Sequence, residues 1–196
     1  ADMDKDGPLC AEQMLYAACF RAMAEISEQI DKDGSVYRAE YEKLTAVIEK
    51  FFWDEEKGAY IDSFTSGRRN VTRHANIFAI LFSIADETKQ EKILKNVLEN
   101  DEIPAITTPY FNFFELDVLC RMGKLTEVLD KIRSYWGGML DLGAVTFWEE
   151  YDPSVPKEEQ YDMYGDHFGK SLCHAWAASP IYFLAKYFAG LDLVNK

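Results

Sequence analysis

Apolar positions recur at helical spacing along most of the chain, and the segments they define alternate in kind. Asp6-Gly7-Pro8 is a helix-start signal, after which Leu15, Cys19, Ala22, Ile26 and Ile30 predict a long helix with one broad apolar face, ended by Asp33-Gly34. A second helix starts near Ser35 and is half exposed, with Tyr41, Leu44, Ile48 and Phe51 on one face and Arg38, Glu40, Glu42, Lys43 and Lys50 opposite. Trp53 to Thr65 reads as a turn around Lys57-Gly58 and a brief alternating segment, Tyr60 to Phe64, the pattern of a small hairpin. The alternation then continues. His74 to Ala85 is almost wholly apolar, whereas Thr88 to Glu99 places only Ile93, Leu94, Val97 and Leu98 among charges. Thr108-Pro109 opens an apolar helix, Tyr110 to Met122, followed by the amphipathic Thr126 to Trp136 with Leu125, Val128, Leu129 and Ile132 inward. A seventh segment, Ser171 to Ala189, is apolar and aromatic, with Pro180 placed to kink or split it.

Buried segments are therefore the first, third, fifth and seventh, with a half-exposed segment between each and the next. A repeated pair of one inner and one outer helix is what a solenoid or toroid needs, because neighbours cover each inner helix while each outer helix meets water. No residue-level repeat is visible, which disfavours a regular solenoid. The predicted fold class is all-α, an (α/α) toroid.

Composition narrows the partners. With 196 residues, 48% hydrophobic and 14% aromatic, the chain is long and apolar enough for a substantial core. A net charge of −13, from 34 acidic and 21 basic residues, repels a phosphate backbone, and Arg68-Arg69 with Arg73 is the one tight basic cluster. Nucleic acid is excluded as an expected partner. The longest apolar stretch, Ala175 to Leu193, is broken by Ser179, Pro180, Lys186 and Asp192, so no membrane span is expected, and ADMDKDGP lacks the basic start and apolar stretch of a signal peptide. Localisation is left open. Cys10, Cys19, Cys120 and Cys173 lie in apolar segments without metal-ligand spacing and read as buried free thiols. No phosphate-cradling glycine loop, Ser-His-Asp motif or basic stripe is present, and no cofactor or metal is implied.

The stretch from Gly143 to Pro180 carries the densest chemistry. GAVTFWEEYDP sets Glu149 and Glu150 behind Trp148, and a long loop rich in acids, Tyr, Pro and Gly returns to His174 in YGDHFGKSLCHAWAASP. Long ordered loops in compact domains are disproportionately functional. In a toroid the inner helices run parallel, so their starts share one rim. At those starts stand Arg73, His74 and Asn76, then Thr107, Thr108, Tyr110 and Asn112, then Ser171 and His174, with Trp148 and Glu149 just before. Each has a structural reading as well: a threonine serves as an N-cap, a histidine as a satisfied core residue, Asn112 as a cap for a neighbour, and Glu115 and Asp117 as partners for buried polar groups. Aromatic rings and carboxylates converging on one rim favour a carbohydrate site.

Three stretches, TTPYFNFFELDVLCRMG (107–123), TFWEEYDP (146–153) and SLCHAWAASP (171–180), resemble the catalytic domain of inverting α-L-rhamnosidases, and FWDEEKGAYIDS (52–63) and RHANIFAI (73–80) extend the likeness. The resemblance implies a six-hairpin (α/α) toroid that removes terminal α-L-rhamnose with inversion. It assigns the general base to Glu149, with Glu150 as the fallback, and a sugar-contacting role to His174. Trp148, Tyr110, His74 and Asn112 complete the expected substrate-binding set. The family's general acid lies in an acidic, Arg- and Trp-containing stretch that has no counterpart before Pro8. Residues 1–196 are therefore expected to be the C-terminal half of such a domain, about half of the barrel, partnered by the other half or by self-association. A non-catalytic carbohydrate-binding or protein-interaction module is the alternative.

Overall fold

Paired helices are present in a computed structural model, which describes residues 3–191 and divides into two compact units, Ala1–Ala105 and Ile106–Lys196. The class is all-α. Asp192 and Leu193, the end of the last apolar stretch, lie outside the described residues.

In the first unit, α1 (Cys10–Gln29) packs against α2 (Ser35–Phe52) and α3 (Arg73–Leu81). The buried side of α1 is Cys10, Met14, Ala17, Ala24 and Ser27, whereas Leu15, Cys19, Ala22, Ile26 and Ile30 face outward. That corrects the expected face. In α2 the buried residues are Ile48 and Phe52, and Phe51 is exposed. The small hairpin exists: β1 (Trp53–Asp54) pairs antiparallel with β2 (Ala59–Tyr60) in the register Trp53 to Tyr60 and Asp54 to Ala59. Asp54 braces its turn by accepting from the backbone N–H groups of Glu56 and Lys57, both at 3.0 Å, and from Arg69 Nε at 2.7 Å.

Every residue of α3 except His74 is buried, as expected of an inner helix, although it stops at Leu81 and not at Ala85. Its polar residues serve the fold. Asn76 exchanges two hydrogen bonds with the main chain of Tyr60, accepting at 2.8 Å and donating at 2.9 Å, so that its carboxamide stands in for another strand beside β2. Arg73 reaches the carbonyls of Leu98, Asn100 and Ile103. These end the outer helix α4 (Glu87–Ile93), which begins at an Asp86 N-cap and runs on as a π-type turn over Leu94–Leu98.

In the second unit α5 (Pro109–Arg121) is the inner helix, with Pro109 in its first turn and Glu115 to Cys120 buried. The expected structural partners are present: Lys131 pairs with the buried Glu115, while Asp117 accepts from Tyr187 Oη and pairs with Arg121, both at 2.7 Å. The outer segment is α6 (Leu125–Lys131), a π-type turn over Ile132–Trp136, and α7 (Gly137–Asp141). The last helix departs most from expectation. It starts at Pro180, with α8 (Pro180–Phe183) and a π-type turn over Leu184–Phe188. Proline cannot donate to a preceding turn, and the upstream backbone is otherwise engaged: His174 N donates to Phe147 O and Glu149 N to Ser171 O, both at 2.9 Å. Only Pro180 and Phe183 of α8 are buried.

Cys10 and Cys120 are buried free thiols, but Cys19 and Cys173 are exposed, which corrects the expectation for those two. Burial pushes the Cys120 thiol up to about 11. Among the described residues, no helix is long and apolar enough to cross a membrane.

Candidate active site

Three irregular stretches of the second unit meet ahead of α5 and α8. The carbonyl of Thr107 accepts from Tyr151 N at 3.0 Å and from Tyr135 Oη at 2.6 Å, which ties the start of α5 to the segment carrying the two glutamates. That segment is in turn laced to 171–174 by the two backbone hydrogen bonds above and by Thr146 Oγ1, which donates to the Leu172 carbonyl. Glu149 and Glu150 have different partners. Glu150 turns to Thr107, accepting its hydroxyl at 2.8 Å, whereas Glu149 turns to the 171–174 stretch.

The carboxylate of Glu149 is held at both oxygens. Oε2 accepts the backbone N–H of Ser171 at 3.1 Å, and Oε1 accepts the hydroxyl of Tyr164 at 3.0 Å. His174 Nδ1 lies 3.9 Å from Oε2, an ion-pair distance and too long for a direct hydrogen bond, so this buried nitrogen has no hydrogen-bond partner. A bare lone pair facing a carboxylate would be repelled, which favours the imidazole proton on Nδ1, and in the neutral ring Nε2 is then the acceptor. The His174 ring stacks on Trp176, centroids 4.1 Å apart and 29° between planes, and Trp176 meets Tyr110 at 5.0 Å. Trp176 is 43% exposed and Tyr110 48% exposed. Two open aromatic faces thus adjoin a histidine acceptor and a fixed carboxylate. His174 also lines an apolar cleft of about 400 Å³ with Leu140, Val145, Phe147 and Cys173.

Tyr110, Glu149 and His174 are thus brought together among the expected residues. Trp148 and Asn112 are not at the open face. Trp148 is buried against Tyr161, ring centroids 5.5 Å apart, and Asn112 is fully buried with its amide donating to the Ile106 and Thr108 carbonyls at 3.1 and 3.2 Å. Their geometry is that of supports. His74 belongs to the first unit, at the start of α3, with Nδ1 3.2 Å from Thr72 Oγ1. Thr72 gives its own hydroxyl proton to Asp62 Oδ1 at 2.7 Å, so the His74 proton also belongs on Nδ1.

Sequence reasoning did not single out three residues of this site: Trp176, Tyr164 and Lys170. Trp176 sits inside a stretch that was noticed as a whole. Lys170 is buried near four carboxylates; burial lowers its pKa, and the charges of Glu150, Asp152, Asp162 and Glu149 oppose that shift. It supplies the positive charge that lets acidic side chains crowd this loop. A lysine between a glycine and a serine gives no sign of such burial.

Residues 2–188 match the family described as the bacterial alpha-L-rhamnosidase 6 hairpin glycosidase domain. Among solved structures, a rhamnosidase from Klebsiella oxytoca with rhamnose bound is similar over 93% of this chain and 34% of that one, at 27% identity and a TM-score of 0.76. A GH78 family rhamnosidase of Bacillus sp. GL1 is similar over 90% of this chain and 19% of that one, at 25% identity and a TM-score of 0.75. The chain therefore spans about a third and a fifth of the lengths of these two structures. A comparison with curated proteins gave no match. Matched along nearly its whole length, this all-α chain belongs to the family of bacterial α-L-rhamnosidase six-hairpin glycosidase domains, and its paired helices agree with that all-α hairpin class.

Proposed function

We propose that this chain carries the general-base side of a site that removes terminal α-L-rhamnose from a glycoside with inversion of configuration. The observation that carries the reading is the carboxylate of Glu149, fixed by the Ser171 N–H beside the stacked His174–Trp176 pair. Inverting hydrolysis needs a carboxylate to take a proton from water as that water attacks the anomeric carbon, with a second carboxyl group roughly 6.5–9.5 Å away to protonate the departing oxygen. Glu149 serves as the base. Tyr110 and Trp176 supply apolar faces for the sugar ring, and His174 Nε2 accepts from a sugar hydroxyl. Trp148 and Asn112 hold the framework behind them, and His74 is assigned to substrate binding by its place at the start of an inner helix. The rhamnose bound to the similar rhamnosidase from Klebsiella oxytoca supports the choice of sugar.

A second reading, sugar binding without hydrolysis, is favoured by one observation: the aromatic faces and the His174 acceptor are complete without any acid. The two readings separate in one assay. The full-length protein is given an aryl α-L-rhamnoside and the first-formed sugar is followed by NMR. Hydrolysis yielding the β-anomer first supports the proposal. Retained configuration contradicts it, and rhamnose binding without turnover selects the second reading.

A further inference from the structure

The side chain that holds the outer oxygen of Glu149 comes from an unusual place. Tyr164 and Gly165 form the centre of a two-residue turn, closed by mutual backbone hydrogen bonds of 3.0 Å between Met163 and Asp166. Both central residues are left-handed, with φ of 56° and 85°. Asn, Asp or Gly usually fills the first of these positions, and an aromatic residue is disfavoured there. The side chain gains little burial in exchange, being 79% exposed. The polar contact it makes is the hydroxyl donated to Glu149 Oε1.

The turn is seated firmly enough to aim that hydroxyl. Gly169 passes directly beneath it: a β-carbon there would stand 2.1 Å from the Met163 carbonyl oxygen, so only glycine allows the approach. On one flank Tyr161 packs on Trp148, and on the other the Lys170 N–H donates to the Tyr161 carbonyl at 3.2 Å. We infer that Tyr164 is a positioning residue for Glu149: its hydroxyl and the Ser171 N–H each fix one carboxylate oxygen, setting the plane of the base toward its water. The phenol oxygen donates once to Glu149 and keeps acceptor capacity, so it can also receive a hydrogen bond from that water. The hydrogen bond to the Glu149 carboxylate, with the Glu149 charge, raises the pKa of the phenol, which keeps it a donor throughout the neutral range.

This inference rests on the reading of Glu149 as the general base, and the test distinguishes the two. Tyr164→Phe keeps the ring and removes the oxygen at an exposed position. In the full-length protein it is expected to lower kcat roughly 10- to 100-fold with KM unchanged, the scale of loss when a reacting group is misplaced. Gly169→Ala, which displaces the turn and with it the intact Tyr164 side chain, is expected to give the same split. The contact has its own spectroscopic signature in residues 1–196. The tyrosinate absorbance difference between wild type and Tyr164→Phe should titrate above the ordinary tyrosine range, and should move back toward it when the pair is compared in a Glu149→Gln background. Normal kcat in Tyr164→Phe, while Glu149→Gln is crippled, overturns the positioning role alone. A rise in KM with kcat intact also overturns it, by making Tyr164 a sugar contact. Normal kcat in Glu149→Gln overturns the reading of the base itself, and an identical titration in both backgrounds overturns the contact.

Discussion

Glu149 and Ser171 are bound to each other twice: the Glu149 N–H donates to the Ser171 carbonyl at 2.9 Å, and the Ser171 N–H donates to Glu149 Oε2 at 3.1 Å. The main-chain bond fixes the register of the two stretches, and the side-chain bond then fixes the carboxylate within that register. Both bonds to the carboxylate, from the Ser171 N–H and the Tyr164 hydroxyl, are charge-assisted, and the one from the Ser171 N–H is carried by main chain that has no side-chain rotamer to lose. The adjacent Glu150 has no such anchor and is turned to the Thr107 hydroxyl.

Removing the ring beneath His174 tests the sugar platform. Trp176→Ala deletes a half-exposed side chain that stacks on His174 at 4.1 Å and meets Tyr110 at 5.0 Å. Covering about 20–60 Å² of ring face with a sugar is worth about 0.5–1.5 kcal/mol, so rhamnose affinity should fall by roughly 2- to 12-fold. Titration of L-rhamnose against residues 1–196, read by NMR or calorimetry, measures it. Unchanged affinity would remove Trp176 from the platform.

Asn76 offers a test of stability. Asn76→Ala strands the N–H and C=O of Tyr60, a residue with no solvent exposure. Each unsatisfied buried group costs about 1–3 kcal/mol, so the urea midpoint should drop by an amount equivalent to at least about 2 kcal/mol. Asn112→Ala removes two bonds to carbonyls and strands no N–H, so its cost should be smaller. Equal costs would contradict the asymmetry.

Asp54 fixes the sign of one pH dependence. Burial alone would raise its pKa, but the Arg69 hydrogen bond and charge and the N–H groups of Lys57 and Glu56 hold it below the ordinary value of 3.8. A depressed carboxylate contributes stability that is fully present above the unfolded-state pKa and is lost as pH falls through the folded-state value. Asp54→Asn should therefore be less stable than wild type at neutral pH, by about 1 kcal/mol or more. The gap should close below about pH 4. Urea unfolding at a series of pH values checks this, and a gap that widens on acidification would contradict it.

Legibility in the sequence followed how far local pattern decides structure. The burial of α3 and α5 was readable because both are apolar nearly all round. The same property hid the orientation of α1: with Met14, Leu15, Tyr16, Met23 and Ile26 distributed around it, periodicity cannot choose between faces, and packing on α2 and α3 does. The seventh segment failed from Ser171 to Ser179 because its backbone pairs with a stretch more than twenty residues earlier. A correspondence between inner helices was hidden too. Asn76 and Asn112 each donate to the carbonyl four residues back, of Thr72 and Thr108, yet RHAN and PYFN share one residue type. In the site, the Glu-Glu pair and the Cys-His-Ala-Trp stretch were visible as unusual local chemistry. Tyr164 was not, since its role depends on where a tight turn aims a hydroxyl fifteen residues from its partner.

The assignment of Glu149 over Glu150 is the centre of this account, and steady-state kinetics of Glu149→Gln and Glu150→Gln in the full-length protein tests it most directly. Glutamine keeps the shape and can still accept from the Ser171 N–H, but it cannot take a proton from water. General-base catalysis typically supplies a factor of about 100–10,000, so kcat should fall by that much in Glu149→Gln with KM for an aryl α-L-rhamnoside nearly unchanged, and should be only mildly affected in Glu150→Gln. A full kcat in Glu149→Gln with a collapsed kcat in Glu150→Gln would contradict the assignment.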